Sequence, residues 1–451
     1  MERFADHFER VFKKLLPSPL GIALVLTLFA FILAAALGHP SPENSNLFIL
    51  WFDGLWGSST LAFAIQMMLM LVLGHVLALS PPVNQIITYL SSQFKDPATA
   101  TAVLGLCTLL VAFFNWGLGL VFGAILARQI KEDFANRGIP INYPLLGAAG
   151  YSGLMVWHGG LSGSAPLKAA ESNHIAEMMA FSNATFPSEV TMDQTVFSAL
   201  NAGSSIALLV LIPAALYLLA KRTQAQTVTE NTRVTIPSQI KNVSISHGID
   251  QNAWFSKAAG VVFLIAVLMQ VLRSSSPLGF LTPNFINTLL FGLALWMHPN
   301  LQSFTSAAQE AIGDATGILI QFPLYFGIMA LIRDTGLASD LSAFFSAHST
   351  AETFPFFTLI SSGIINVFVP SGGGQWAVQG PILIQTAQEL GVPYGKAILS
   401  LSYGDQLTNM LQPFWALPLL GITGLKAKEI LPYTTLLMIL GGLIFAIALL
   451  F

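Results

Sequence analysis

Cysteine is almost missing from this chain of 451 residues. Cys107 is the only one and sits in an apolar run, which excludes disulfides and thiolate metal sites. Charge is scarce as well. Asp, Glu, Lys and Arg make up 9% of residues against 54% hydrophobic, and the mean hydropathy of +0.68 is beyond any soluble domain of ordinary composition. Period-2 alternation of the barrel type is lacking, as are His-Glu-x-x-His and phosphate-loop patterns, and Gly160-Leu161-Ser162-Gly163-Ser164 fails Gly-x-Ser-x-Gly at its last position. Ser402-Tyr403-Gly404-Asp405 superficially matches an intramembrane aspartyl protease, but the partner segment carries no second aspartate. An enzyme is not expected, and an intramembrane hydrolase is the enzymatic alternative to weigh. The net charge of −3 carries little information, and no nucleic-acid partner is expected. These exclusions leave an all-α polytopic membrane protein.

Eleven or so apolar segments are long enough to span or nearly span a bilayer. The first, Ser18 to Leu37, follows Arg3, Arg10, Lys13 and Lys14 and resembles a signal peptide, but its 20 residues read as a retained anchor. A Trp-rich interfacial piece (Leu47 to Trp56), a second span (Ser58 to Leu79) and an amphipathic piece (Val83 to Gln93) come next. Residues 98–131 form a hairpin whose arms, Ala98 to Phe114 and Leu118 to Ile130, are joined by Asn115-Trp116-Gly117. Residues 143–166 begin as a helix but carry glycines and serines at mid-membrane, which predicts an unwound crossing.

The second half repeats this order. Tyr403 and Pro418 follow Tyr151 and Pro166 by 252 residues, and Asn366 follows Asn115 by 251. The second hairpin, 355–390, has arms Pro355 to Val369 and Trp376 to Leu390, each about 15 residues where a crossing needs roughly 20. Between them lies Pro370-Ser371-Gly372-Gly373-Gly374-Gln375, read as a re-entrant tip. The second broken helix, 394–421, is predicted to unwind at Gly404 to Asn409. If both hairpins dip and return, five crossings precede the second unit, near Asn284, and an odd number inverts it. The expectation is an inverted-topology repeat of about nine crossings plus two re-entrant hairpins and two unwound helices, divided as 1–220, a linker and connecting helix at 221–283, and 284–451. With the N-terminus cytoplasmic, only Lys168, Arg273, Arg333 and Lys396 of the 19 Lys and Arg fall outside.

The two tips and two unwound helices are expected to meet near the midplane. There the chain gathers half-helix N-termini and the amides and hydroxyls of Asn115, Ser162, Ser164, Asn366, Ser371, Gln375, Thr408 and Asn409. A half-helix N-terminus carries about half a positive charge, enough to hold a monoanionic carboxylate without a basic residue. Trp116, Trp157, Phe368 and Trp376 suit a short acyl chain or serve as packing. An acid inside a span costs at least about 2.5 kcal/mol, so Asp405 reads as the coupling residue for H+ or Na+, with helix capping as its structural alternative. His158 is either a ligand or a partner of unwound carbonyls. Glu310 and Asp314 read as interfacial, and Arg128 and Arg333 as snorkelling.

The run Pro370 to Pro381, with Asn115-Trp116-Gly117, the Tyr151 to Pro166 stretch and Tyr403-Gly404-Asp405-Gln406, resembles the bacterial short-chain fatty acid transporter family (AtoE type). The similarity runs from Phe4 to the final span and is loosest over Lys221 to Asn252. It implies cation-coupled uptake of monocarboxylates such as acetoacetate or butyrate across the bacterial inner membrane. It also implies an elevator-like movement of the hairpins against a scaffold that often dimerises, so a homodimer is expected. No cofactor other than the coupling cation is expected. Substrate would be held by Asn115, Trp116, Gly117, His158, Ser162, Ser164, Asn366, Ser371, Gly372, Gly373, Gly374, Gln375 and Trp376, and the cation by Asp405, Thr408, Asn409 and Asn366. A C4-dicarboxylate or amino-acid carrier on the same fold, and a channel, are the rival readings.

Overall fold

The computed structural model of the chain describes residues 18–40, 46–179, 184–223, 248–273, 280 and 282–450. Arg3, Arg10, Lys13 and Lys14, and most of the linker, with Arg233 and Lys241, lie outside these residues. Among the described residues no strand occurs, and seven helical stretches are long and apolar enough to cross a membrane, including Pro19–Leu37, Ala199–Arg222, Ala253–Arg273 and Ala427–Leu449. The protein is an all-α polytopic membrane protein.

The first unit comprises α1 (Pro19–Leu37), α2 (Leu47–Leu55), α3 (Ser58–Leu79), α4 (Pro81–Ser92), α5 (Pro97–Phe114) and α6 (Trp116–Asn136). Asp96 caps α5 by accepting from the Ala98 and Thr99 amides, with Pro97 opening the helix. Asn115 ends it, because its backbone is extended (φ −150°, ψ 120°) and its Oδ1 accepts from Leu118 N at 3.0 Å to start α6. The chain therefore folds back on itself at one residue. Next come α7 (Tyr143–Tyr151), a 3-10 turn (Ser152–Met155), irregular backbone to Gly163, α8 (Ser164–Ala169), α9 (His174–Met178) and α10 (Ala199–Arg222). After α11 (Ala253–Arg273) the second unit follows. It comprises α12 (Pro283–Met297), α13 (Leu301–Ala311), α14 (Thr316–Asp334), α15 (Leu337–Ala347), α16 (Phe354–Phe368), α17 (Gly372–Leu390), α18 (Tyr394–Thr408), α19 (Pro413–Thr423) and α20 (Ala427–Leu449).

Three expectations change. Gly372, Gly373 and Gly374 are not an unwound tip but the first turn of α17, so the second arm begins four residues before Trp376. Ser371 makes this possible: its Oγ accepts from Gly374 N at 3.2 Å, and Pro370 ends the preceding arm. The second broken helix stays helical through Gly404 and Asp405 and breaks at Asn409–Gln412, where Pro413 holds Gln412 extended (φ −96°, ψ 123°). Gly404 serves packing instead, since a Cβ there would sit 2.3 Å from Leu359 O on α16. Finally, Asp314 is not a free interfacial acid: it sits in the 3-10 turn Ile312–Ala315, and its Oδ2 lies 2.7 Å from His75 Nδ1 on α3.

The two broken helices run antiparallel. Tyr143, at the start of α7, donates to Thr423 O at the end of α19 (2.7 Å). Tyr151, at the first break, donates to Asn409 O at the second (2.8 Å). Ala165 and Ala169 of α8 share an apolar cluster with Ala397 and Ile398 of α18. Replacing Gly404 by Ala forces a methyl against backbone that cannot rotate away. Gly404→Ala is expected to destabilise by about 1–3 kcal/mol, read as a lower apparent Tm in detergent; an unchanged Tm contradicts the close packing.

Candidate substrate and ion site

Both hairpin tips close on the irregular segment Trp157–Gly163. From the first, Trp116 N donates to Ser162 Oγ (3.1 Å), and Leu161 N donates to Phe113 O (2.8 Å). From the second, Gly372 lies flat on two rings: a Cβ there would come within 2.8 Å of both Trp157 and His158. The first-turn amides of α17 are thus delivered beside that segment without a side chain in between. Amides of a first helical turn have no carbonyl partner within their own helix and attract anions.

The breaks are held by side-chain amides. Gln406 Oε1 accepts from His158 N (2.9 Å) and Gly159 N (3.2 Å), and Asn201 Nδ2 donates to Gly159 O (2.7 Å). Asn366 Nδ2 donates to Asp405 O (2.7 Å), Thr408 Oγ1 (3.0 Å) and Asn409 Oδ1 (2.7 Å), while Gln412 Nε2 donates to Asn366 O (2.9 Å). Ala165 N donates to His158 Nε2 at 3.0 Å, so Nε2 is the bare nitrogen and the neutral ring carries its proton on Nδ1. That nitrogen is 3.1 Å from Asp405 Oδ2, with both residues essentially unexposed. The approach is not aligned as a hydrogen bond, and neither Asp405 oxygen has a donor. Ser362 Oγ, Asn366 Oδ1 and Gln375 Oε1, all fully buried, also lack partners.

The other expected residues separate into groups. Trp116 joins Trp157, Trp415 and Phe63 in an aromatic cluster, with ring centroids 4.9 Å apart for the Trp116 and Trp415 pair. Gly117 is a packing residue, since a Cβ would meet Met70 Sδ at 2.2 Å. Ser164 opens α8, one residue before the His158 partner. Gln375 turns into its own hairpin, donating to Ser362 O (2.8 Å) and Gln379 Oε1 (2.6 Å). Trp376 faces away, its indole donating to His174 Nε2 (3.0 Å) within the apolar cluster under the loop that carries α9. Phe368 stacks on Phe29 of α1. An open cleft of about 210 Å³ between α2 and α14, with Asp53, Thr60, Arg333 and Asp334 on its walls, includes Met329, whose Sδ approaches the tip at Gly374. Gln406, Gln412, Tyr151, Asn201 and Ser362 were not among the candidate site residues read from the sequence, although Tyr151 and Gln406 lie in the motifs named there. The cost of a buried amide or hydroxyl in an apolar segment, which flagged Asn366, applies equally to them.

Paired hairpins and antiparallel broken helices around a buried polar centre, in a chain of spanning helices, define a polytopic membrane transporter. The chain belongs to the short-chain fatty acid transporter family, whose model matches residues 1–451. It is 33% identical over 454 residues, covering 99% of both chains, to a protein of Escherichia coli (strain K12) named "Putative short-chain fatty acid transporter". A protein of the same name from Haemophilus influenzae is 32% identical over 446 residues, 97% of each. The solved YdaH transporter of Alcanivorax borkumensis aligns over 96% of this chain and 98% of that one, at 16% identity and a TM-score of 0.42. The family is one of transporters, not enzymes, which removes the hydrolase reading.

Gln406 is the residue on which the irregular segment leans. Gln406→Leu leaves two buried amides unpaired, at about 1–3 kcal/mol each, and is expected to lower Tm and weaken butyrate binding. Calorimetric titration giving wild-type affinity and Tm would count against that role.

Proposed function

We propose that the protein is a secondary active transporter that takes up short-chain monocarboxylates such as acetoacetate or butyrate together with H+ or Na+. The observation that carries this reading is the pairing of the first-turn amides of Gly372 and Gly373 with a nearby buried carboxyl group, Asp405, whose oxygens have no donor. Substrate carboxylate sits on those amides and on Ser371 and Asn115, with its acyl chain against Trp116, Trp157 and Trp415, while Asn366 has its Nδ2 engaged by the second break. An ionised Asp405 beside that carboxylate would place two like charges in low dielectric, which is strongly unfavourable. A cation on Asp405, with Asn366, Thr408 and Asn409 as neighbours, removes the repulsion. Cation and anion therefore bind together, and neither rides well alone.

The hairpins and broken helices move as a transport body against the remaining helices in an elevator-like stroke, and the protein works as a homodimer. It sits in the bacterial inner membrane with its N-terminus cytoplasmic. The monoanion preference follows from the site's lack of Lys and Arg, and the cradle supplies partial charge for one carboxylate. Uptake of labelled butyrate into proteoliposomes under separately imposed Na+ and pH gradients tests the whole reading. Competition by succinate as strong as by butyrate would favour a C4-dicarboxylate carrier instead.

Two variants test the parts. Asp405→Asn is expected to abolish gradient-driven accumulation while retaining counterflow exchange; normal accumulation refutes the coupling role. In a Cys107→Ser background, saturating butyrate is expected to shield Ser371→Cys from thiol reagents. Full labelling despite butyrate removes the tip from the site.

A further inference from the structure

The second hairpin is polar on the inside. Against α15, its two arms bury Thr358, Ser361 and Ser362 from α16 and Gln375 and Gln379 from α17, facing Ser342 of α15. On α15, Ser342 and Ser346 are i, i+4, which puts them on one helix face, with Ser349 just past the helix end, and Gln375 and Gln379 are likewise i, i+4. Exposure falls along this file, from half-buried Ser349 and Ser346 to buried Ser342, Gln379 and fully buried Gln375 and Ser362. Successive members touch: Gln379 Nε2 reaches Ser342 Oγ (3.5 Å), Gln375 Nε2 donates to Gln379 Oε1 (2.6 Å) and to Ser362 O (2.8 Å). Ser362 Cβ lies 2.8 Å from where a Cβ on Gly404 would be, and Gly404 directly precedes Asp405. The file thus leads from the α15–α16 loop to the turn of α18 that carries Asp405.

Structural need does not account for it. Ser361 bonds Thr358 O on its own helix, and Ser349, just past the end of α15, bonds Phe345 O. Ser362 Oγ and Gln375 Oε1, in contrast, are wholly buried oxygens with no donor. Between Ser342, Ser346, Ser349, Thr358, Ser361 and Gln379 lies a cavity of about 10 Å³, the room of a single water molecule. Hydroxyl and amide oxygens line this gap together with Phe345, Phe354 and Leu383, and such oxygens suit a small cation shedding most of its hydration shell.

We infer that this seam is the route by which the coupling cation reaches Asp405 from the α15–α16 side, separate from the path of the carboxylate substrate. The inference rests on Asp405 being the coupling residue, and the experiment separates the two. Butyrate accumulation and butyrate counterflow are measured in proteoliposomes for wild type, Asp405→Asn and Gln379→Leu, each under a Na+ gradient and under a pH gradient. Gln379→Leu is expected to slow accumulation about tenfold under whichever gradient drives the wild type, with counterflow retained and Tm lowered by the loss of the Gln375 hydrogen bond. Normal accumulation in Asp405→Asn overturns the underlying reading. A defect in Asp405→Asn with none in Gln379→Leu overturns only the seam.

A second measurement does not depend on that variant folding well. In the Cys107→Ser background, Ag+ added on the outside is expected to inhibit uptake by Ser342→Cys and to spare Phe356→Cys, which lies on the exposed face of the same hairpin. Added Na+ slows the inhibition if Na+ is the traveller, and external acid slows it if the traveller is a proton. Absence of inhibition at Ser342→Cys, or equal inhibition at both positions, overturns the proposal.

Discussion

A helix broken inside a bilayer leaves amides and carbonyls that lipid cannot satisfy, each at a cost of several kcal/mol. In this protein the two broken helices largely satisfy one another. The Tyr151 hydroxyl and the Gln406 side chain reach across from one break to the backbone of the other, and Asn366 and Gln412 stitch the second hairpin to the second break. Only an antiparallel arrangement brings break to break and start to end. The architecture of the centre is therefore a solution to an accounting problem in backbone hydrogen bonds. The amides left over, in the first turn of α17, are the ones free for a guest.

Much of this was legible before any coordinates. Short apolar arms around Asn115 and around Pro370 announced the turns between helices there. What misled was glycine. In Gly372–Gly374 and at Gly404 it was read as a helix breaker, yet in both places it is helical and lets another group come close. Residue type alone does not separate these uses, because both follow from a missing Cβ and the neighbour belongs to a distant segment. The break after Asp405 is set by Pro413 rather than by Gly404, a shift of one helical turn that leaves the acid on a rigid helix. The approach of His158 to Asp405 could not be read either, because the two residues are 247 positions apart and meet only through tertiary packing.

The electrostatic logic of the centre is economical. His158 accepts from the Ala165 amide at Nε2, which leaves Nδ1 as the ring nitrogen facing Asp405. The aromatic cluster of Trp116, Trp157 and Trp415 keeps water and its high dielectric away from the same spot. With no cationic side chain as counterweight, net charge there is decided by what binds.

One further consequence comes from the small apolar cluster beside the second hairpin. Trp376, Leu383 and Ile384 of the hairpin, Ile175 and Val190 of the loop after α8, and Ala397 and Ile398 of α18 are buried together, apart from the main core. A hairpin swinging alone like a trapdoor would tear this cluster open and strip the indole of its His174 acceptor. The loop and the hairpin are thus one packed block, which ends near Thr353 on one side and Gln412 on the other.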